Sequence, residues 1–173
     1  MQLYTSEQMG DLFATAKTRA AHLETRDEYK SASEDAAMRR FLDTGADPGG
    51  EWFTSWAQRV QGMTGRGVTV QRARIVTVPV TRYTSYLLAL TPHNIAAGED
   101  VRWVPRDQAR PQDAAADDFW LLDDHTVAYS VFTADDDWWS GCAATTDPVI
   151  VGYACMLWDR VWGNATEHEQ FRP

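Results

Sequence analysis

VTVQRARIVTVPV, residues 68–80, decides how the chain is read. It is rich in β-branched side chains and ends at a proline, which marks a strand and its stop. Alternation puts Val68, Val70, Arg72, Arg74, Val76 and Val78 on one face. If that face is buried, each guanidinium needs an anionic or hydrogen-bonding partner, because an unpaired charge does not stay in an apolar interior. Glu24, Asp123 or a bound anion are the expected partners.

The flanking segments alternate between helix and strand. On the C-terminal side, Thr81 caps a helix bearing Tyr83, Tyr86, Leu87 and Leu90, and Thr91-Pro92 opens a second short turn that stops at Gly98. DVRWVP (100–105) reads as a strand and RDQARPQDAAADD (106–118) as an acidic loop. DFWLLDD and HTVAYSVF form a hairpin turning at Asp123, Asp124 and His125, and ADDDWWSG (134–141) forms a further loop. Asp147-Pro148 opens a closing helix that runs to about Trp162 and stops at Gly163.

On the N-terminal side, Thr5 and Gln8 have capping-box spacing for a helix over 6–18. A strand over 20–29 sets His22, Glu24 and Arg26 on one face. A helix over 31–43, the loop TGADPGG (44–50) and a helix over 51–63 follow, the last with Trp52, Phe53, Trp56, Val60 and Met63 in one stripe. No repeat or linker breaks the pattern. The predicted class is α/β: residues 1–173 as a single domain, with a mixed sheet of about five to seven strands and helices on both faces.

Bulk properties narrow the function. The chain has 173 residues, is 44% hydrophobic and contains eight tryptophans, enough for a sizeable core. Its formal charge of -9 repels phosphate backbones, so no direct nucleic-acid binding is expected. Cys142 and Cys155 read as reduced thiols. The N-terminal residues lack a signal-peptide pattern and no segment has membrane-span character, so the expected location is cytoplasmic, with no membrane partner. Gly65-Arg66-Gly67 precedes a strand, not a helix, and so is not a phosphate loop; HExxH and GxSxG are absent. Asp135, Asp136 and Asp137 lack the alternating ligands of a calcium loop. No metal or cofactor is therefore expected. Trp138-Trp139 reads either as an interface or as core.

Pockets in α/β sheets open at the carboxyl ends of the strands. This gathers Arg72, Arg74, Tyr83, Arg102 and Asp123 into one candidate ligand-binding site, with Glu24 and Arg26 joining if the first strand pairs in the same sheet.

AHLETRDEY, RRFLDTG, VQRARIVTVPVTRY, NIAAGEDVRWVPR, DFWLLDD and WDRVW together resemble an actinobacterial family of uncharacterised single-domain proteins, often encoded beside helix-turn-helix regulators. Residues 60–132 also resemble one half of a phospholipase D-like domain. That superfamily carries His-x-Lys-x4-Asp on its last hairpin. Aligning Asp123 with the motif aspartate puts Ala116 and Asp118 at the other two positions, and Asp124 puts Asp117 and Phe119 there. The likeness thus implies the fold without that chemistry. The expected function is a non-catalytic accessory or regulatory protein that binds an anionic small molecule or a partner such as a helix-turn-helix regulator. The alternatives are a small pathway enzyme using Glu24, His22 or Asp123 as acid or base, with arginines holding an anionic substrate, and a purely structural interaction domain.

Overall fold

Eight strands join in one mixed sheet, in the order β1-β7-β6-β5-β2-β3-β4-β8. The computed structural model describes residues 1–134 and 138–173, so the aspartate run 135–137 lies outside the described residues. At the centre, β2 (Arg19–Glu24), β3 (Thr69–Val76) and β4 (Glu99–Pro105) are parallel. β5 (Phe119–Leu122), β6 (Thr126–Phe132), β7 (Trp139–Thr145) and β1 (Gln2–Thr5) extend the sheet antiparallel on one side. The two-residue β8 (Thr166–Glu167) closes the other edge.

Two apolar layers cover the sheet. One contains α1 (Met9–Ala14), α2 (Asp35–Thr44), α3 (Glu51–Thr64) and α4 (Arg82–Ala97), packed through side chains such as Phe13, Phe53, Val60, Tyr86 and Leu90. The other is made mainly by α6 (Pro148–Asn164), with the short α5 (Pro111–Ala114) beside it; Leu157 and Trp158 press on Leu23, Ile75 and Phe119.

The sheet is wider than the expected five to seven strands because β1 and β7 carry weak sequence signals. WSGCAAT is mostly small residues, and its pairing is decided by neighbours, not by propensity. A Cβ on Gly141 would sit 2.1 Å from the Tyr4 carbonyl oxygen, so glycine there lets β1 close against β7. The Thr5–Gln8 capping box forms, with Thr5 N–H donating to Gln8 Oε1 at 3.0 Å, but the helix after it is limited to α1. Pro92 does not split α4. It removes one hydrogen bond, and the helix continues because Tyr86, Leu87, Leu90, Asn94 and Ala97 are buried along its length.

Gly163 lies inside α6 and does not end it. The C-terminal tail docks: Phe171 is buried and stacks on Trp103 with ring centroids 5.4 Å apart, and Trp103 Nε1 donates to His168 Nδ1 at 3.2 Å. Cys142 is buried and Cys155 half-buried, and both are free thiols. Among the described residues no helix is long and apolar enough to cross a membrane.

Candidate ligand cavity

Pairing register decides which side chains meet. Ala20, His22 and Glu24 of β2 stand beside Val70, Arg72 and Arg74 of β3, which stand beside Glu99, Val101 and Trp103 of β4. All these residues face the four-helix layer. Arg72 and Arg74 are 7% and 3% exposed, so both charges are buried and need partners. Arg74 Nε and Arg72 Nη1 donate to the two oxygens of Glu24. Arg72 Nε donates to Glu99 at 2.8 Å, and Arg74 Nη1 donates to Thr91 Oγ1 at 2.9 Å. Glu99 also accepts from Trp56 Nε1 and from Asn94 Nδ2, the latter at 2.6 Å. The guanidiniums lie over aromatic faces, Arg72 over Trp56 and Trp120 and Arg74 over Trp103.

Burial works to raise the Glu24 carboxyl, but Arg74 and Arg72 outweigh it and hold the group well below the usual carboxylate range. His22 stacks on Trp120 at 4.2 Å, and its Nδ1 lies 2.8 Å from Arg72 Nη1. Burial first, and then Arg72, lower its pKa to about 3, so the imidazole is neutral and accepts.

In front of this cluster lies a cavity of about 270 Å³. Trp52, Trp56, Trp120 and Trp139 contribute aromatic walls, and Tyr29, Tyr83 and Phe132 add three further rings. Two carboxyl groups outside the arginine cluster reach it. Tyr83 Oη donates to Glu34 at 2.8 Å. Tyr29 Oη donates to Asp118 Oδ2, while Asp118 Oδ1 accepts from Thr25 N–H at 2.7 Å and from the Thr25 hydroxyl at 2.8 Å. The Tyr29 and Tyr83 rings are 5.8 Å apart, so the two carboxyl–tyrosine pairs share one wall. Burial raises both acids, Asp118 to about 6 against its donors and Glu34 above the usual range. An outer cleft of about 540 Å³ shares Tyr29, Glu34 and Tyr83 with the cavity.

Of the seven expected site residues, Glu24, Arg72, Arg74 and Tyr83 line the cavity. Arg26 lines the outer cleft, with its guanidinium 3.9 Å from the centre of the Phe132 ring. Arg102 is on the other face. It pairs with Ala73 in register, lies over Trp162 at 4.2 Å and meets Asp100 and Glu167. Asp123 is at the opposite end of β2, in a hairpin turn where it and Asp124 have φ of 54° and 56°. Its carboxylate receives the N–H groups of Lys17, Thr18 and Arg19. Burial pushes this acid up, but those amides win and bring it down to about 2. A wide depression of about 790 Å³ beside Asp123 therefore offers a carboxylate already saturated by backbone.

Sequence reasoning missed Glu99, Asn94, Asp118, Tyr29 and Glu34. Two of these carry a signal. Starting β4 one residue earlier aligns Glu99 with Val101 and Trp103, and alternation through Asp118, Trp120 and Leu122 sets Asp118 on the cavity face.

The two arginines engage Glu24 and Glu99, so the cluster carries two positive and two negative charges before any ligand arrives. Among the described residues no group of three or more His, Cys, Asp or Glu side chains is placed to hold a metal ion.

The fold is α/β, with the cavity set between the mixed sheet and one helix layer. The chain belongs to the family described as a domain of unknown function (DUF6879), whose model matches residues 7–173. No curated protein matches the sequence. In structure it is similar to TrmBL2, an archaeal chromatin protein described as showing a novel mode of DNA binding, with a TM-score of 0.54 and 8% identity. The similarity covers 96% of this chain and 55% of that one, so this chain spans about half of TrmBL2. At this identity the likeness speaks for the fold alone. It nevertheless corrects the expectation of no direct nucleic-acid binding. TrmBL2, which shares a similar fold over about half its length, is described as binding DNA, so that expectation does not stand. A helix-turn-helix regulator as partner gains nothing from either comparison.

Proposed function

We propose that this domain is a regulatory ligand-binding module that receives a small organic molecule in the cavity between the sheet and helices α2, α3 and α4. One observation carries the reading: an aromatic-walled cavity opens directly onto a buried Arg72–Glu24–Arg74 cluster. Such a cluster is no efficient way to stabilise a core, since well-packed apolar residues do as well or better. What it supplies is a rigid polar floor, and small-molecule sites combine apolar walls with a few fixed polar groups. The finer reading of the fold as one half of a phospholipase D-like domain adds no chemistry, because its hairpin holds Ala116 and Asp118 where that motif has histidine and lysine.

The test is a thermal-shift screen of the parent protein with panels of amines, carboxylates, phosphates, sugars and nucleobases. A ligand at 100 times its Kd adds about 2.7 kcal/mol of stability, a readily measured shift. A duplex DNA arm, with and without any hit, determines whether the ligand changes DNA contact. Stabilisation by no member of the panel counts against the reading.

A second reading has one specific support. Asp118, with a pKa raised to about 6 and a tyrosine hydroxyl on it, is suited to proton transfer near neutral pH. Turnover of a bound hit that is lost in Asp118→Asn with binding retained would favour an enzyme over a sensor.

A further inference from the structure

The cavity is unbalanced in its hydrogen-bonding groups. Many donors of the buried cluster are engaged internally: Arg72 through Nε and Nη1 on Glu99 and Glu24, Arg74 through Nε on Glu24 and Nη1 on Thr91, Trp56 and Asn94 Nδ2 on Glu99, Tyr29 on Asp118, and Tyr83 on Glu34. Acceptor capacity remains. Asn94 is 3% exposed and lines the cavity, and its Oδ1 is buried without a hydrogen-bond partner among the described residues. A buried acceptor left unmet is unfavourable, and a ligand donor relieves it. Glu34 accepts from Tyr83, and each carboxylate offers about four acceptor sites when ionised. Tyr29, Trp56, Tyr83, Trp120 and Trp139 line the walls, and the quadrupole of an aromatic ring attracts a cation placed over its face.

Building on the ligand-binding reading, we propose that the ligand is a small organic amine bound as its ammonium ion, with its apolar body on the aromatic walls and its N–H groups toward Asp118, Glu34 and Asn94. An anion would meet acceptors, and a neutral hydrocarbon would leave Asn94 Oδ1 unmet.

Binding should release a proton below about pH 6, where Asp118 is a carboxylic acid and ionises to receive the cation; the proton passes to buffer. The groups facing Asp118 and Glu34 are Tyr29 before α2, Glu24 and His22 on β2, Arg72 and Arg74 on β3, and Tyr83 and Tyr86 on α4. His22 is neutral across the range and Glu24 stays ionised, which leaves Asp118 as the group that titrates near 6, while burial moves Glu34 in the same upward direction. Affinity for an amine should therefore rise between about pH 5 and about pH 7.

The experiment titrates the full chain with benzylamine and phenethylamine, with benzyl alcohol, benzoate and inorganic phosphate as matched probes. Thermal shift and calorimetry are run in two buffers of different ionisation enthalpy. The expected result is binding of the amines alone, proton release, and affinity that rises with pH. Asp118→Asn and Glu34→Gln should each weaken binding by about tenfold or more, the loss of a charge-assisted hydrogen bond. Arg102→Ala, on the other face, should bind as the parent does. Glu34 is half-buried, so its variant keeps the test open if Asp118→Asn does not fold. Binding of benzoate or phosphate in preference to the amines overturns the amine class and leaves the ligand-binding reading standing. No binding of either amine, or binding unchanged in both variants, also overturns it.

Discussion

The same strands present two different interiors on their two faces. On the α6 side, Ala21, Leu23, Ala73, Ile75, Phe119, Leu121 and Val127 make a dry apolar surface, with Trp158 buried against it. On the other side, the residues one step away are His22, Glu24, Arg72, Arg74 and Trp120, and the helices above them leave a cavity. Both faces are buried, yet only one carries buried charge on its central strands; on the α6 side the buried ion pair is Asp113 of α5 with Arg160 of α6, and Arg102 lies at the partly exposed edge. The contrast shows that charge on the strands themselves is not needed to hold this sheet together, because the strand residues against α6 are apolar. The charged cluster is better understood as a shaped, polarised floor.

Breaking each face separately sharpens that contrast, and the largest effect should come from the polar side. Glu24→Ala leaves Arg72 with Glu99 and Arg74 with Thr91 only, and should destabilise by about 3–5 kcal/mol in denaturant melts, the loss for a broken buried pair. If the loss is under about 0.5 kcal/mol, as for an ordinary surface substitution, the cluster is solvated and the contrast between faces fails.

Leu121→Ala probes the dry face. The side chain is fully buried, and the expected loss is about 2–5 kcal/mol from the lost transfer free energy and the cavity left behind. The variant should keep any ligand response of the parent. Loss of that response in a still-folded Leu121→Ala would mean that the faces are coupled.

The third prediction concerns pH. Asp118 has a folded pKa of about 6, above the ordinary aspartate value. A raised folded pKa means that its contribution is fully present below about pH 4 and is lost as pH rises through about 6. Asp118→Asn removes this slope. Parent stability relative to the variant should therefore fall by roughly 1–3 kcal/mol across that window, since a tenfold change in proton affinity is worth about 1.4 kcal/mol. Glu24 acts in the opposite sense: its depressed pKa stabilises above about pH 4 and is lost on acidification. A parent and variant with parallel pH profiles would place Asp118 in ordinary solvent.

Much of this architecture is legible in the sequence. The valine-arginine alternation of residues 68–80 gives the central strand and its charged face, and the Asp147-Pro148 cap gives the start of α6, with Asp147 Oδ1 accepting from Val149 N–H at 2.9 Å. Glu24 follows from alternation on β2. What sequence does not reveal is register and strand order. Arg102 and Glu99 sit three residues apart and face opposite sides, and only the pairing of β4 with β3 says which one meets Arg72. Asp123 reads as a partner for the arginines because it is acidic and follows a strand. It lies at the wrong end because β5 runs antiparallel to β2. Tyr29 and Glu34 come from the segment between β2 and α2, where no periodicity marks them.

The smallest expected effect is at Arg102. Its guanidinium lies over Trp162 and meets Asp100 and Glu167 at the partly exposed edge, so Arg102→Ala should cost about 0.5–1 kcal/mol. A much larger loss would show that charge on the α6 side is also structural.

The difference between the faces has a direct readout in the indole N–H signals of the eight tryptophans. In a nitrogen-15 correlation spectrum titrated with the best hit of the ligand screen, Trp56, Trp120 and Trp139, which line the cavity, should shift, while Trp158 and Trp162 on the α6 side stay in place. Stationary signals from the cavity tryptophans, or movement confined to Trp158 and Trp162, would contradict the assignment of the polar face as the ligand site.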